Sequence, residues 1–165
     1  MKVVISDTNI FIDLLSVDLL DAFLELPIEV QTTDFVLMEL NHEQLSIIES
    51  KIELNIIKVN SADENELEEI THLQRSKPNL SIEDFSVFYF AKKNDAVILT
   101  GDKAFRTFVE KKKMDVKGVL WVFDEIEKNA MIKSRELAES LEKLTRINPR
   151  LPKEECKKRI TSWRK

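Results

Sequence analysis

Short β-branched runs that end in polar or acidic residues and pass straight into helical periodicity recur along this chain, and this alternation constrains its fold more than any other feature. Val3-Val4-Ile5 stops at Ser6-Asp7-Thr8, after which Ile10, Leu14 and Leu15 follow a helical period. Ile28 to Val30 meets Thr32-Thr33-Asp34, and Phe35, Met38 and Leu40 continue as a helix that reads as largely buried. Ile56-Ile57-Lys58-Val59 makes a third strand, with Ser61 as the expected N-cap of a helix carrying Leu67, Ile70 and Leu73 on one stripe. After the break at Lys77-Pro78-Asn79, Ser81-Ile82-Glu83-Asp84 has the form of a capping box opening a mostly apolar helix through Ala91. Ala96 to Leu99 makes a fourth strand, and Thr100-Gly101-Asp102 turns the chain into the next helix. Val116 to Leu120 is the least regular strand, because Gly118 interrupts it and helical spacing follows.

Strands alternating with helices predict an α/β fold, a parallel sheet with helices on both faces and right-handed crossovers. Beyond residue 130 the pattern is wholly helical: Leu137, Leu141 and Leu144 form a stripe, Asn148-Pro149 ends it, and Pro152 suits the first turn of a last helix. The chain is therefore divided at 130, into an α/β domain (1–130) and a basic helical C-terminal extension (131–165). Charge follows the same division. Of 25 basic and 30 acidic residues, 11 and 5 lie after residue 130, a net of +6, which leaves 14 and 25 before it, a net of −11. An acidic body with a basic tail can hold a cation in one part and a phosphate backbone in the other.

Several function classes are excluded by what is scarce. Only Gly101 and Gly118 are glycines, too few for a dinucleotide fingerprint or a Walker loop. Cys156 is the one cysteine, so no intramolecular disulfide and no thiolate zinc site can form. Apolar runs such as Ala96 to Leu99 stop far short of the ~20 residues a membrane-spanning helix needs. No leader-like segment opens the sequence. A cytoplasmic protein is the expectation.

In an open parallel sheet, ligands bind beyond the carboxyl ends of the strands, where loops lead into helix N-termini. Asp7 and Asp102 follow the first and fourth strands, Glu39 lies in the helix after the second, and Asp84 lies in the first turn of its own helix. Each has an ordinary reading: Asp7, Asp84 and Asp102 suit helix caps, and Glu39 suits a solvent-facing helix position. Together they pose an electrostatic problem. Two like charges about 4 Å apart repel by roughly 4 kcal/mol at an effective dielectric near 20. A hard, oxygen-seeking cation such as Mg²⁺ or Mn²⁺ would neutralise such a set. His42 and His72 lack a partner at ligand spacing and read as surface or packing residues.

Val3-Val4-Ile5-Ser6-Asp7-Thr8-Asn9, Glu39, Asp84 and Leu99-Thr100-Gly101-Asp102 resemble the acidic motifs of PIN domains, over about residues 1 to 125. The resemblance implies a three-layer α/β/α PIN-like fold for residues 1–130 and divalent-metal endoribonuclease activity on RNA, with Mg²⁺ or Mn²⁺ as cofactor. It implies a toxin of the VapBC type, with a small antitoxin protein and a second copy of itself as expected partners. Position by position, it makes Asp7, Glu39, Asp84 and Asp102 the catalytic and metal-binding acids, with Asn9 and Thr100 in support. Lys103 and Arg106, one helical turn apart, are candidate phosphate contacts, and solvated surface charge is the alternative for both. A haloacid-dehalogenase-like phosphatase would need a second aspartate two residues after Asp7, where Asn9 stands. A PIN-like module that binds RNA or protein without cutting is the remaining alternative.

Overall fold

The computed structural model describes residues 1–165. Five strands, β1 (Lys2–Ser6), β2 (Ile28–Thr33), β3 (Ile57–Asn60), β4 (Val97–Leu99) and β5 (Val116–Lys117), form one sheet in the order β3-β2-β1-β4-β5. All four pairings are parallel. The central strand β1 pairs on both sides, Val4 with Val30 and Val97, Ile5 with Gln31 and Ile98. Val4 and Ile5 are completely buried, as a strand covered on both faces by helices requires. The chain winds outward from β1 through β2 to β3 and then returns to the other side of β1, so the winding reverses between β1 and β4.

Helices α1 (Thr8–Ser16), α2 (Leu20–Leu24), α3 (Asp34–Met38), α4 (His42–Glu53), α5 (Glu64–Ser76), α6 (Ile82–Asn94), α7 (Lys103–Lys111) and α8 (Val119–Lys128) fill the connections, and α9 (Ser134–Ile147) and α10 (Lys153–Trp163) follow. The result is the three-layer α/β/α architecture that the alternating pattern predicts. Helix α6 carries the core: Phe85, Val87, Phe88, Phe90 and Ala91 are all buried, so apolar side chains face nearly every direction. Its N-terminus has the expected capping box, Ser81 with Asp84.

Several expectations change. The fifth strand is two residues long, because Gly118 is the N-cap of α8, and Val119, Val122, Phe123 and Ile126 are buried at helical spacing. Asp63, not Ser61, caps α5, since Asp63 and Glu66 exchange reciprocal backbone bonds and Ser61 offers no such partner. The helix after β2 is short and not largely buried: α3 ends at Met38, which is 72% exposed, and Glu39 is its exposed C-cap. Helices α2 and α4 do not figure in the alternating pattern: α2 is five residues long, and eight of the twelve residues of α4 are polar, with Ile48 its one buried residue.

The C-terminal helices pack onto the domain. Leu137, Leu141 and Leu144 belong to the same apolar core as the sheet, and Cys156 of α10 is buried with them. Arg159 grips Asp124 of α8 through two hydrogen bonds, Nε to Oδ1 at 2.7 Å and Nη2 to Oδ2 at 2.8 Å. The Trp163 ring stacks on Phe123 at 6.3 Å. Where α9 ends, the Asn148 Nδ2 group donates to both carboxylate oxygens of Asp13 in α1, at 3.2 and 3.1 Å.

Asp13 is buried, and that burial pushes its carboxyl up to about 6 against the opposing effects of Asn148 and Arg150. A carboxyl whose folded pKa is raised holds its proton better in the folded state, so its contribution to stability falls as pH rises from about 4 through about 6. Asp13→Asn removes the buried charge and keeps an acceptor for Asn148. It should flatten this part of the stability profile and raise stability at pH 7.5 by on the order of 2 kcal/mol, read by urea unfolding across pH.

Candidate active site

The β1–β4 pairing runs one residue past β1, because the Asp7 N–H donates to the Leu99 carbonyl, at the end of β4, at 2.9 Å. Asp7 and Thr100 therefore leave the sheet side by side, at the point where the winding reverses and ligands are expected. Thr100, almost completely buried, donates its hydroxyl to Asp7 Oδ2 at 2.8 Å and accepts the Asp102 N–H at 3.1 Å. One hydroxyl thus sets the positions of two acids from segments some ninety residues apart. Asp7 Oδ1 also accepts the Thr8 N–H at 2.8 Å, and Asp102 Oδ1 accepts the Phe105 N–H at 2.9 Å, so the two acids cap α1 and α7.

Asp84 reaches the same edge from α6. Its Oδ2 accepts the Ser81 N–H at 3.1 Å, and its own N–H donates to Ser81 Oγ at 3.0 Å. A relay of hydroxyls holds α3 against this helix: Val36 N–H donates to Thr33 Oγ1, which lies 2.8 Å from Ser86 Oγ, which donates to the Glu83 carbonyl. That contact sets Glu39, just past the end of α3, beside Glu83. Asn9 lies in the first turn of α1, half-buried, and a side chain on Gly101 would meet its Cβ at 3.7 Å, so the loop after β4 passes directly over it. Lys103 is exposed at the start of α7. Arg106 Nε is paired with Glu110 at 3.2 Å.

The acids sense one another. Burial raises the Asp7 carboxyl most, and the charges of Asp102 and Glu83 add to it, against hydrogen bonds from Thr100 and Thr8. Asp84 is pushed up to about 6, first by burial and further by the charges of Asp7 and Asp102, while the Ser81 N–H holds it down. Glu39 is pushed up to about 7, first by the protein crowding its carboxyl and then by the closeness and charge of Glu83 and the charge of Asp7. The outer flank of Glu39 remains open to solvent, which screens these effects.

The structure thus brings Asp7, Asp84 and Asp102 to one edge with Glu39 at its rim. It also places two residues there to which the sequence reading gave no role. Glu83 faces Glu39, although as the neighbour of Asp84 in a capping box it looks like an ordinary first-turn acid. Thr8 is 5% exposed, and its Oγ1 is a buried side-chain oxygen with no hydrogen-bond partner. It approaches the Glu39 carboxyl, whose charged form it favours, without closing a bond. His42 and His72 are exposed on α4 and α5.

The donors suit a hard cation. All are oxygens, the Thr8 hydroxyl lacks a partner, and neither Asp84 Oδ1 nor Asp102 Oδ2 accepts a hydrogen bond. The set is open: no three His, Cys, Asp or Glu side chains are gathered closely enough to enclose an ion by themselves. Mg²⁺ commonly keeps several waters and takes only one or two carboxylates, so an open set of this kind fits it.

A family model described as a PIN domain matches residues 3–165. The chain belongs to the PIN-domain family. This PIN domain is a nuclease-type fold, and PIN domains typically use divalent metals. The match runs through α9 and α10, whereas the motif resemblance stops near residue 125, so the C-terminal helices lie within the family's span. No curated protein matches the chain. No helix is long and apolar enough to cross a membrane.

Thr100→Val keeps the shape of the side chain but strands Asp7 Oδ2 and the Asp102 N–H. It should lower unfolding stability in chelator by about 1–3 kcal/mol, the cost of leaving buried polar groups unpaired, read by urea denaturation.

Proposed function

We propose that this PIN domain is a divalent-metal-dependent endoribonuclease that hydrolyses RNA phosphodiester bonds with Mg²⁺ or Mn²⁺, and that it is the toxin of a toxin–antitoxin pair restrained by a small antitoxin protein. The observation that carries the nuclease reading is the Thr100 hydroxyl bridge, which joins Asp7 and Asp102 where the sheet's winding reverses, with Asp84 charged against both. The toxin reading rests on the resemblance of the acidic motifs to VapBC-type toxins.

In this mechanism Asp7 and Asp102 would hold the cation, Asp84 would hold it directly or through a water, and Glu39 would hold it or orient the attacking water. When bound, Mg²⁺ or Mn²⁺ lowers the pKa of the attacking water and offsets charge building on the phosphoryl and leaving oxygens. Thr100 keeps Asp7 in one orientation, and Asn9 braces the loop that carries Asp102. A Glu39 carboxyl near neutrality is suited to take a proton from the water as it attacks. Lys103, beside Asp102, steadies the scissile phosphate; Arg106 would first have to release Glu110.

The second reading is a PIN-like module that binds RNA or protein without cutting. Two experiments separate them. Asp7→Asn should abolish Mn²⁺-dependent RNA cleavage while melting no lower than the parent in chelator, because it removes a carboxyl that burial disfavours; undiminished cleavage would reject the assignment. Calorimetric titration should show Mn²⁺ binding that weakens at least tenfold in Asp102→Asn, and the same weak binding in both proteins would favour the second reading.

A further inference from the structure

Helix α7 starts at the acidic edge and leads away from it as a strip of positive charge. Residues 103–113 hold Lys103, Arg106, Lys111, Lys112 and Lys113 against a single acid, Glu110, which Arg106 already pairs. This contrasts with a net of −11 over the first 130 residues. None of Lys77, Lys103, Lys111, Lys112 or Lys113 enters an ion pair. Lys103 and Lys111, eight residues apart, lie about 12 Å apart along the helix axis and about 80° apart around it, and Phe108 follows about 60° further round the same flank. Lys77 joins them from the α5–α6 connection: its Nζ sits 5.5 Å from the centre of the Phe108 ring, and Lys112 Nζ sits 5.6 Å from the same centre.

The ring that gathers these two lysines is anchored to the site. Phe108 meets Phe85 at 5.4 Å and Phe88 at 5.0 Å, both edge to face, and Phe85 follows Asp84 directly. The strip therefore keeps a fixed position relative to the acids. An acidic protein that must approach a polyanion needs a local region where its own repulsion is reversed, and unpaired lysines beside the acids provide one. Phe108 is nearly buried under the lysine stems, so it offers no face on which a base can stack.

We infer that the flank of α7 that runs from Lys103 through Lys111 to Lys77 and Lys112 at the Phe108 ring is the docking track for the phosphate backbone of single-stranded RNA on one side of the acidic edge. This rests on the nuclease reading above and adds the path of the substrate to it. The track recognises charge and not bases, so it binds sequences alike and loosens steeply with salt.

The test is fluorescence anisotropy of labelled single-stranded RNA with the full chain in chelator, over a series of salt concentrations, alongside Mn²⁺-dependent cleavage. Lys77→Gln with Lys112→Gln should weaken binding roughly tenfold at low salt and reduce the slope of log affinity against log salt by about 1.4, the loss of two phosphate contacts on a single strand. Lys157→Gln on α10 with Lys165→Gln just past it should change neither. If the first pair fails to fold, Lys103→Gln with Lys111→Gln, which touch no core ring, should show the same loss. Unchanged affinity and slope in the α7 variants of a protein that still cleaves RNA would overturn the track alone. A parent chain that neither binds nor cleaves RNA would overturn the nuclease reading and the track together.

Discussion

Like charges can be assembled at one place only if the backbone commits them there before their repulsion is felt. In this chain the commitment is the parallel β1–β4 pair, extended by the Asp7 N–H to Leu99 carbonyl bond. It puts Asp7 and Thr100 in adjacent positions, and the Thr100 hydroxyl then orients the Asp7 carboxylate and the Asp102 backbone together. Asp84 and Glu39 arrive later in the hierarchy, through helix packing and a chain of hydroxyls. Their raised pKa values record what that assembly costs.

Part of the cost is offset by the helices themselves. Asp7, Asp84 and Asp102 each accept backbone N–H groups at the start of a helix, where the macrodipole favours negative charge. Capping and site chemistry are therefore not competing explanations for these residues. The cap holds each carboxylate in position with one oxygen, and in Asp84 and Asp102 the other oxygen carries no hydrogen bond. The unpaired Thr8 hydroxyl shows the same incompleteness from the opposite side, as a buried polar group that a bound ion or its waters would satisfy.

Charge is distributed unevenly for the same reason. The acids sit at the strand ends, and the unpaired lysines of α7 begin one residue after Asp102. The C-terminal helices use their charge differently, since Arg159 is spent on Asp124 and Glu155, and Asn148 on Asp13. Their apolar stripe enters the common core, which makes them a packed layer of the molecule.

Strands β1 and β4 were legible because each is a short apolar run at the buried centre of the sheet, β2 and β3 because β-branched residues mark them, and Asp7, Asp84 and Asp102 because each stands at a helix start with a local signature. Helices α2 and α4 left little trace, being short or mostly polar, and Gly118 disguised the start of α8 as strand. Glu39, expected on a buried helix, lies exposed beyond the end of α3, and nothing local marks Glu83 or Thr8 as part of the site, because their neighbours there come from distant segments. Local sequence determined which segments become strands and which acids cap helices, since both depend on residues within a turn of one another. Only the tertiary structure decided which carboxylates share an edge, which hydroxyl is left without a partner and where the tail is fastened, because those depend on strand order and helix packing between segments far apart in the chain.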